Sequence, residues 1–242
     1  MIYLISNIII SLNLLLICNS EGRFNKNEPV TESQIHFKPN NKLEKFATNK
    51  IIPKEIRTLT LEALSYFPDL VNTKIDFQFK NNITGSVMQA QPKVGSLFFH
   101  QKDNRSYKIK ISRFLFLEDN PIPIEELPDD VLLGWIGHEL GHIQDYINRS
   151  SFDLLGFGVK YYLSNNFVTK AEIAADSFAV AHGLGEKIIA TKNFVLNHDQ
   201  IPLAYKQKIE ALYMSPGEIL SMVDPVLDED PEGENNASDA MK

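Results

Sequence analysis

The pentapeptide His138-Glu139-Leu140-Gly141-His142 constrains this chain more than any other stretch. Around it, Val131, Leu132, Trp135, Ile136, Leu140, Ile143 and Ile147 recur at spacings of one, three and four. That is the apolar stripe of a buried helix. A step of four residues carries an α-helix through about 400°, so the two histidines leave one face a single turn apart. Two imidazoles so placed can converge on one zinc ion, and the glutamate between them can reach a water activated by that ion. Asp129, after Pro128, is placed to cap a helix beginning near Asp130. Gly134, Gly137 and Gly141 each cost up to about 1 kcal/mol relative to alanine inside a helix. Three in one helix imply either close approach by a backbone or ligand, or loose packing. The plain alternative is a core helix with two histidines, one of them salt-bridged to Glu139.

A catalytic zinc site takes three protein ligands and keeps its fourth position open. Asp145 and Asn148 stand where the metzincin pattern requires Gly and His, which excludes that pattern. Downstream lies Thr169-Lys170-Ala171-Glu172-Ile173-Ala174-Ala175-Asp176, followed by Ser177-Phe178-Ala179. This E-x-x-A-D-x-x-A run, coming after H-E-x-x-H, resembles the second motif of the gluzincins, especially their membrane and envelope peptidases and the minimal gluzincins. The resemblance covers residues 130–185. It implies that His138 and His142 are zinc ligands, Glu139 the general base and Glu172 the third ligand, with Asp176 accepting the free N–H of a ligand imidazole. It also implies downstream helpers where His198, Tyr205, Lys206 and Lys208 stand, and His198 and Tyr205 are the candidates for stabilising the oxyanion.

The residues by themselves allow these roles. Glu172 and Asp176 share a helix face at four-residue spacing, and ligand histidines need an oriented acceptor behind them. Alanines 171, 174, 175 and 179 would let this helix approach the first one closely. Thr169-x-x-Glu172 is also a capping box, however, in which the glutamate turns back to its own helix terminus. Both roles stay open, and Asp145 and Asp153 are further candidate oxygens. His182, before Gly183, reads as a helix C-terminal residue.

At 242 residues, 43% hydrophobic and 23% charged, the chain suits one globular catalytic domain with appendages. Seven acids and one lysine in residues 224–242 contribute −6 of the net −7, marking an acidic, disordered tail. Lys and Arg are dispersed, which excludes a nucleic-acid-binding face. The first twenty residues carry no charged side chain, and residues 8–18 form an apolar run ending at Cys18, the only cysteine. This reads as a signal peptide or lipoprotein signal over residues 1–20, too short to be a convincing membrane span. The protein is expected in the periplasm or cell envelope, with possible membrane attachment through its N-terminus or a lipid on Cys18. A single cysteine excludes an internal disulfide.

Residues 21–50, rich in Asn, Lys and Glu, read as a linker, and residues 51–223 as the catalytic domain. Residues 53–67 predict a helix closed by Pro68, and residues 75–79 alternate as a strand. Residues 87–89, 96–100 and 107–112 predict further strands, and residues 120–128, with three prolines, a loop. The apolar stretch 151–165 reads as part of a packed helical hairpin. His36 and His100 fall in the linker and a strand and take no role. The expected fold is α+β and zincin-like: a small, mainly antiparallel sheet packed on the active-site helix, then a helical C-terminal subdomain. The expected function is that of an exported zinc metallopeptidase cutting a peptide or protein substrate. A non-catalytic zinc-binding envelope protein acting as an interaction module is the alternative, and hydrolysis of a non-peptide amide a third reading. An intact Glu139 favours catalysis, since a structural site has no need of a base.

Overall fold

The computed structural model describes residues 42–224, apart from Asn82, Phe116 and residues 118–120. The expected leader with Cys18, the linker up to position 41 including His36, and the tail after Asp224 lie outside these residues. Along the chain come β1 (Lys50–Ile51), α1 (Arg57–Ser65), β2 (Lys74–Lys80), β3 (Met88–Pro92), α2 (Val94–Phe99) and β4 (Ser106–Ser112). A two-strand ladder follows, β5 (Phe114–Leu115) with β6 (Ile122–Pro123). The rest is helical: α3 (Asp129–Asn148), α4 (Ser151–Leu163), α5 (Asn165–Ala179), α6 (Gly185–Asn197), α7 (Leu203–Leu212) and α8 (Pro216–Val223). The fold is mixed α/β, with a small sheet and a helical C-terminal region.

The sheet runs β1-β2-β4-β3 and is not mainly antiparallel. β1–β2 and β2–β4 pair in parallel, and only β3–β4 is antiparallel. β2 and β4 can run the same way because β3 and α2 supply the long crossover a parallel pair requires. Alternation in β2 places Ile75 and Phe77 in the core, opposite Tyr107 and Ile109 of β4. Residues 96–100, expected as a strand, form most of α2, and His100 ends that helix. A short apolar run does not distinguish the two states by periodicity; here Ser96 Oγ bonds back to Lys93 O at 2.7 Å and closes a helical turn. Residues 120–128 are also more ordered than a loop, since Ile122 pairs with Leu115 and a turn at Ile124–Glu126 buries Ile124.

The folded unit begins before position 51. Phe46 is buried in the core, and Arg57 bonds Glu44 at 2.8 Å. Lys50 Nζ lies among the carbonyl oxygens of Thr48, Leu70, Val71 and Thr73, at 2.9, 2.9, 3.1 and 2.8 Å, which share its three N–H donors. The linker composition concealed these contacts because only one acid, one aromatic and one lysine make them.

α3 is buried almost continuously from Val131 to Gln144 and packs on β3, α1, α5 and α6. It starts at Asp129, with Pro128 at the cap position and no side-chain cap; Asp129 and Asp130 occupy the first turn, where carboxylates complement the helix dipole. Its glycines mark close packing. A methyl group at Gly141 would strike the Ala175 carbonyl of α5, and one at Gly134 the Lys187 carbonyl of α6. α4 opens with a capping box between Ser150 and Asp153, and it packs on α5, where the buried Phe157 meets Phe167 edge-on. The α5 cap is Ser164, so Thr169 lies inside the helix, where its hydroxyl donates to Asn165 O. The capping box Thr169-x-x-Glu172 therefore does not form. Gly183, at φ +86°, breaks the helical path between α5 and α6 with a kink, a conformation that suits glycine. His182 there bonds Phe178 O at 2.7 Å and stacks on Phe67, as a residue ending a helix.

Candidate metal centre

The tight α3–α5 contact decides where the carboxylates of α5 point. Ala171, Ala175 and Ala179 are buried at four-residue spacing and let the two helices meet at Gly141. Glu172 and Asp176, on the same side of α5, then face the histidines of α3. Glu172 Oε2 stands 3.0 Å from His138 Nε2 and 3.3 Å from His142 Nε2. The donor atoms of His138, His142 and Glu172 all lie within 4.8 Å of one another, and all three residues are buried. Behind them, Asp176 Oδ1 stands 2.8 Å from His138 Nδ1. That contact fixes the ring and leaves Nε2 directed at Glu172.

The other candidate oxygens are engaged elsewhere. Asp145 pairs with Arg149 at 2.8 Å, and Asp153 caps α4. Burial opposes ionisation of Glu172, yet attraction to His142 and hydrogen bonds to both imidazoles hold its carboxyl well below the ordinary value. Burial alone would lower the His138 value, but the hydrogen bonds and charges of Asp176 and Glu172 push it up to about 10. The polypeptide alone thus keeps an imidazolium facing carboxylates, the arrangement a metal cation would replace.

Glu139 lies on the side of α3 toward the sheet. Its Oε2 accepts the Ala90 N–H of β3 at 2.5 Å, and β3 is an edge strand of the sheet. Burial raises its pKa, while the neighbouring His142 and His138 oppose the rise. Glu139 and His138 line one cavity together with Asp176, Lys192, Tyr205 and Tyr213. Burial, with the charges of Glu139 and Glu172, raises the pKa of Tyr205, and burial does the same for Tyr213. Both phenols therefore remain O–H donors at neutral pH. His198 ends α6, and its ring packs 5.2 Å from Phe194; it is not among the residues lining the cavity. Lys208 Nζ donates to Gly85 O.

Three participants were not singled out from the sequence. Lys192 Nζ lies 2.8 Å from Asp176 Oδ2 and 4.9 Å from the Tyr213 ring centroid. Its signal was a lysine at helical spacing from the apolar Ile188 and Val195, on the buried face of α6. Tyr213 lies 5.5 Å, ring to ring, from His138, and Tyr161 donates to Glu172 Oε1 at 2.5 Å. Neither has a local signature, because both arrive through tertiary packing.

Two imidazole nitrogens and one carboxylate oxygen form a donor set that suits zinc. Ligand atoms about 2.0–2.1 Å from one tetrahedral ion lie about 3.3 Å apart, and Glu172 Oε2 approaches both imidazoles at that separation. The cluster fits a metal ion. Comparisons with protein-family models, curated proteins and solved structures found no match to this chain.

Proposed function

We propose that this chain is a zinc metallopeptidase of gluzincin type. The observation that carries the reading is that one oxygen of Glu172, on α5, meets the Nε2 atoms of both H-E-x-x-H histidines on α3. His138, His142 and Glu172 would hold the ion, and Asp176 would keep the His138 ring in the ligating tautomer. When bound, zinc polarises the scissile carbonyl and acidifies water.

The chain's own groups do the rest. Glu139, with its raised pKa, takes the proton of the attacking water and returns it to the leaving amine. Its bond to the Ala90 N–H fixes one carboxylate oxygen and leaves the other for this transfer. Tyr205 and Tyr213 present O–H donors from the cavity wall to the oxyanion. The composition of residues 1–20 supports export, with action on a peptide or protein in the cell envelope. Among the described residues no helix is long and apolar enough to cross a membrane.

The decisive experiment is elemental analysis coupled to digestion of a peptide library, wild type against Glu139→Gln. The wild type should carry about one zinc per chain and cut peptides. Glu139→Gln should keep zinc and fold, with turnover lowered by roughly 10²–10⁴-fold. A zinc-loaded wild type that cuts no peptide, like its variant, would favour the interaction-module reading.

A further inference from the structure

Glu172 has two oxygens, and they lie in different environments. Oε2 faces the imidazoles, while Oε1 accepts the Tyr161 hydroxyl at 2.5 Å. Tyr161 comes from a different helix, eleven residues earlier, and its position is built in. The α4 N-terminus is pinned by the Ser150–Asp153 box and by Arg105, whose guanidinium donates to Arg149 O at 2.7 Å and Ser151 Oγ at 3.0 Å. Farther along α4, the buried Phe157 ring sits edge-on to Tyr146 at 5.4 Å and to Phe167 at 5.0 Å, and Tyr161 stacks on it at 6.0 Å. The Tyr161 residue is 38% exposed, so α4 is not held there by burial of the ring alone. Its hydroxyl nevertheless points inward, to a carboxylate that is 2% exposed. A packing role would require the ring and not the oxygen.

We propose that Tyr161 is a positioning residue for Glu172, restricting that carboxylate to one donor oxygen toward a metal ion. The inference rests on the metal reading of His138, His142 and Glu172. A carboxylate can bind a metal through one oxygen or both. With Oε1 engaged by the phenol, only Oε2 is offered, and three protein donor atoms leave a coordination position for substrate and water. Without the phenol, Glu172 is free to turn its second oxygen to the ion and close that position. The α4 helix thus takes part in the chemistry of the site without touching substrate.

The test compares zinc affinity, by competition with a chromophoric chelator, and the visible absorption of the cobalt(II)-substituted protein. Tyr161→Phe should lower zinc affinity by about 10–100-fold, as expected when a group that orients a ligand is lost. It should also weaken the cobalt absorption, because a carboxylate bound through both oxygens raises the coordination number. Phe152→Ser, at a residue 87% exposed on the same helix, should leave both readouts unchanged. Tyr161→Phe with wild-type affinity and spectrum would overturn the proposal while leaving the metal reading intact. A wild-type chain that binds neither metal would overturn both. Should Tyr161→Phe fail to fold, 4-aminophenylalanine and 4-fluorophenylalanine at position 161, which differ in whether they can donate, make the same comparison.

Discussion

Lys192 Nζ lies 2.8 Å from Asp176 Oδ2, and the other oxygen of that carboxylate lies 2.8 Å from His138 Nδ1. One buried acid therefore joins α6 to α5 and α5 to α3. Burial opposes its ionisation, and the His138 imidazole and Lys192 ammonium together hold its pKa below the ordinary value.

Lys192→Met should accordingly destabilise the metal-free protein by about 1–3 kcal/mol, because it removes one of the two cations that compensate the buried Asp176 carboxylate and leaves the other, His138, in place. Urea denaturation measures this. Adding Asp176→Asn should cost less than the sum of the two single changes, since the residues are coupled. A loss below about 1 kcal/mol, the value of an exposed pair, would contradict the burial.

At the start of α5, Ser164→Ala should cost about 1 kcal/mol, since Ser164 is the cap. Thr169→Ala, inside the helix, should stay within about 0.5 kcal/mol. Glu172→Gln should leave the helix start intact yet weaken zinc binding by more than the roughly 10–100-fold expected of Asp176→Asn. Zinc titration of the four variants separates ligand from cap. Wild-type affinity in Glu172→Gln would exclude that residue as a ligand.

Stability against pH should differ between metal-free and zinc-loaded protein. The His138 value is raised in the folded chain to about 10, from 6.5. A raised value stabilises fully below pH 6.5, and the gain is lost as pH rises through about 10. The titratable groups facing His138 are Glu172 and Asp176 of α5, His142 on its own helix and the Tyr213 ring, with Lys192 of α6 beyond them. Glu172 and Asp176 have lowered values, so their contribution is lost in acid, below the ordinary carboxylate range. Chelated protein should therefore lose stability steadily across that alkaline window. Zinc-loaded protein should not, because ligating imidazoles are already neutral. Denaturation midpoints recorded across the window, with and without chelator, decide it; parallel curves would contradict the metal reading.

The sequence by itself determined what depends on helical period. Residues 138 and 142 share one face of a helix because four residues make about one turn, and residues 172 and 176 share a face for the same reason. Alternation likewise placed Ile75 and Phe77 on one side of a strand. Tertiary structure alone decided which carboxylate meets the histidines. Asp145, Asp153 and Glu172 were all open candidates, and packing of Ala175 against Gly141 brings Glu172 to the imidazoles. Strand direction was equally hidden, since a strand's side-chain pattern is the same in parallel and antiparallel pairs. The Tyr161 hydroxyl and the Lys192 ammonium reach the site from two other helices. Local spacing records which residues share a surface; which surfaces meet is set by close packing between segments far apart in the chain.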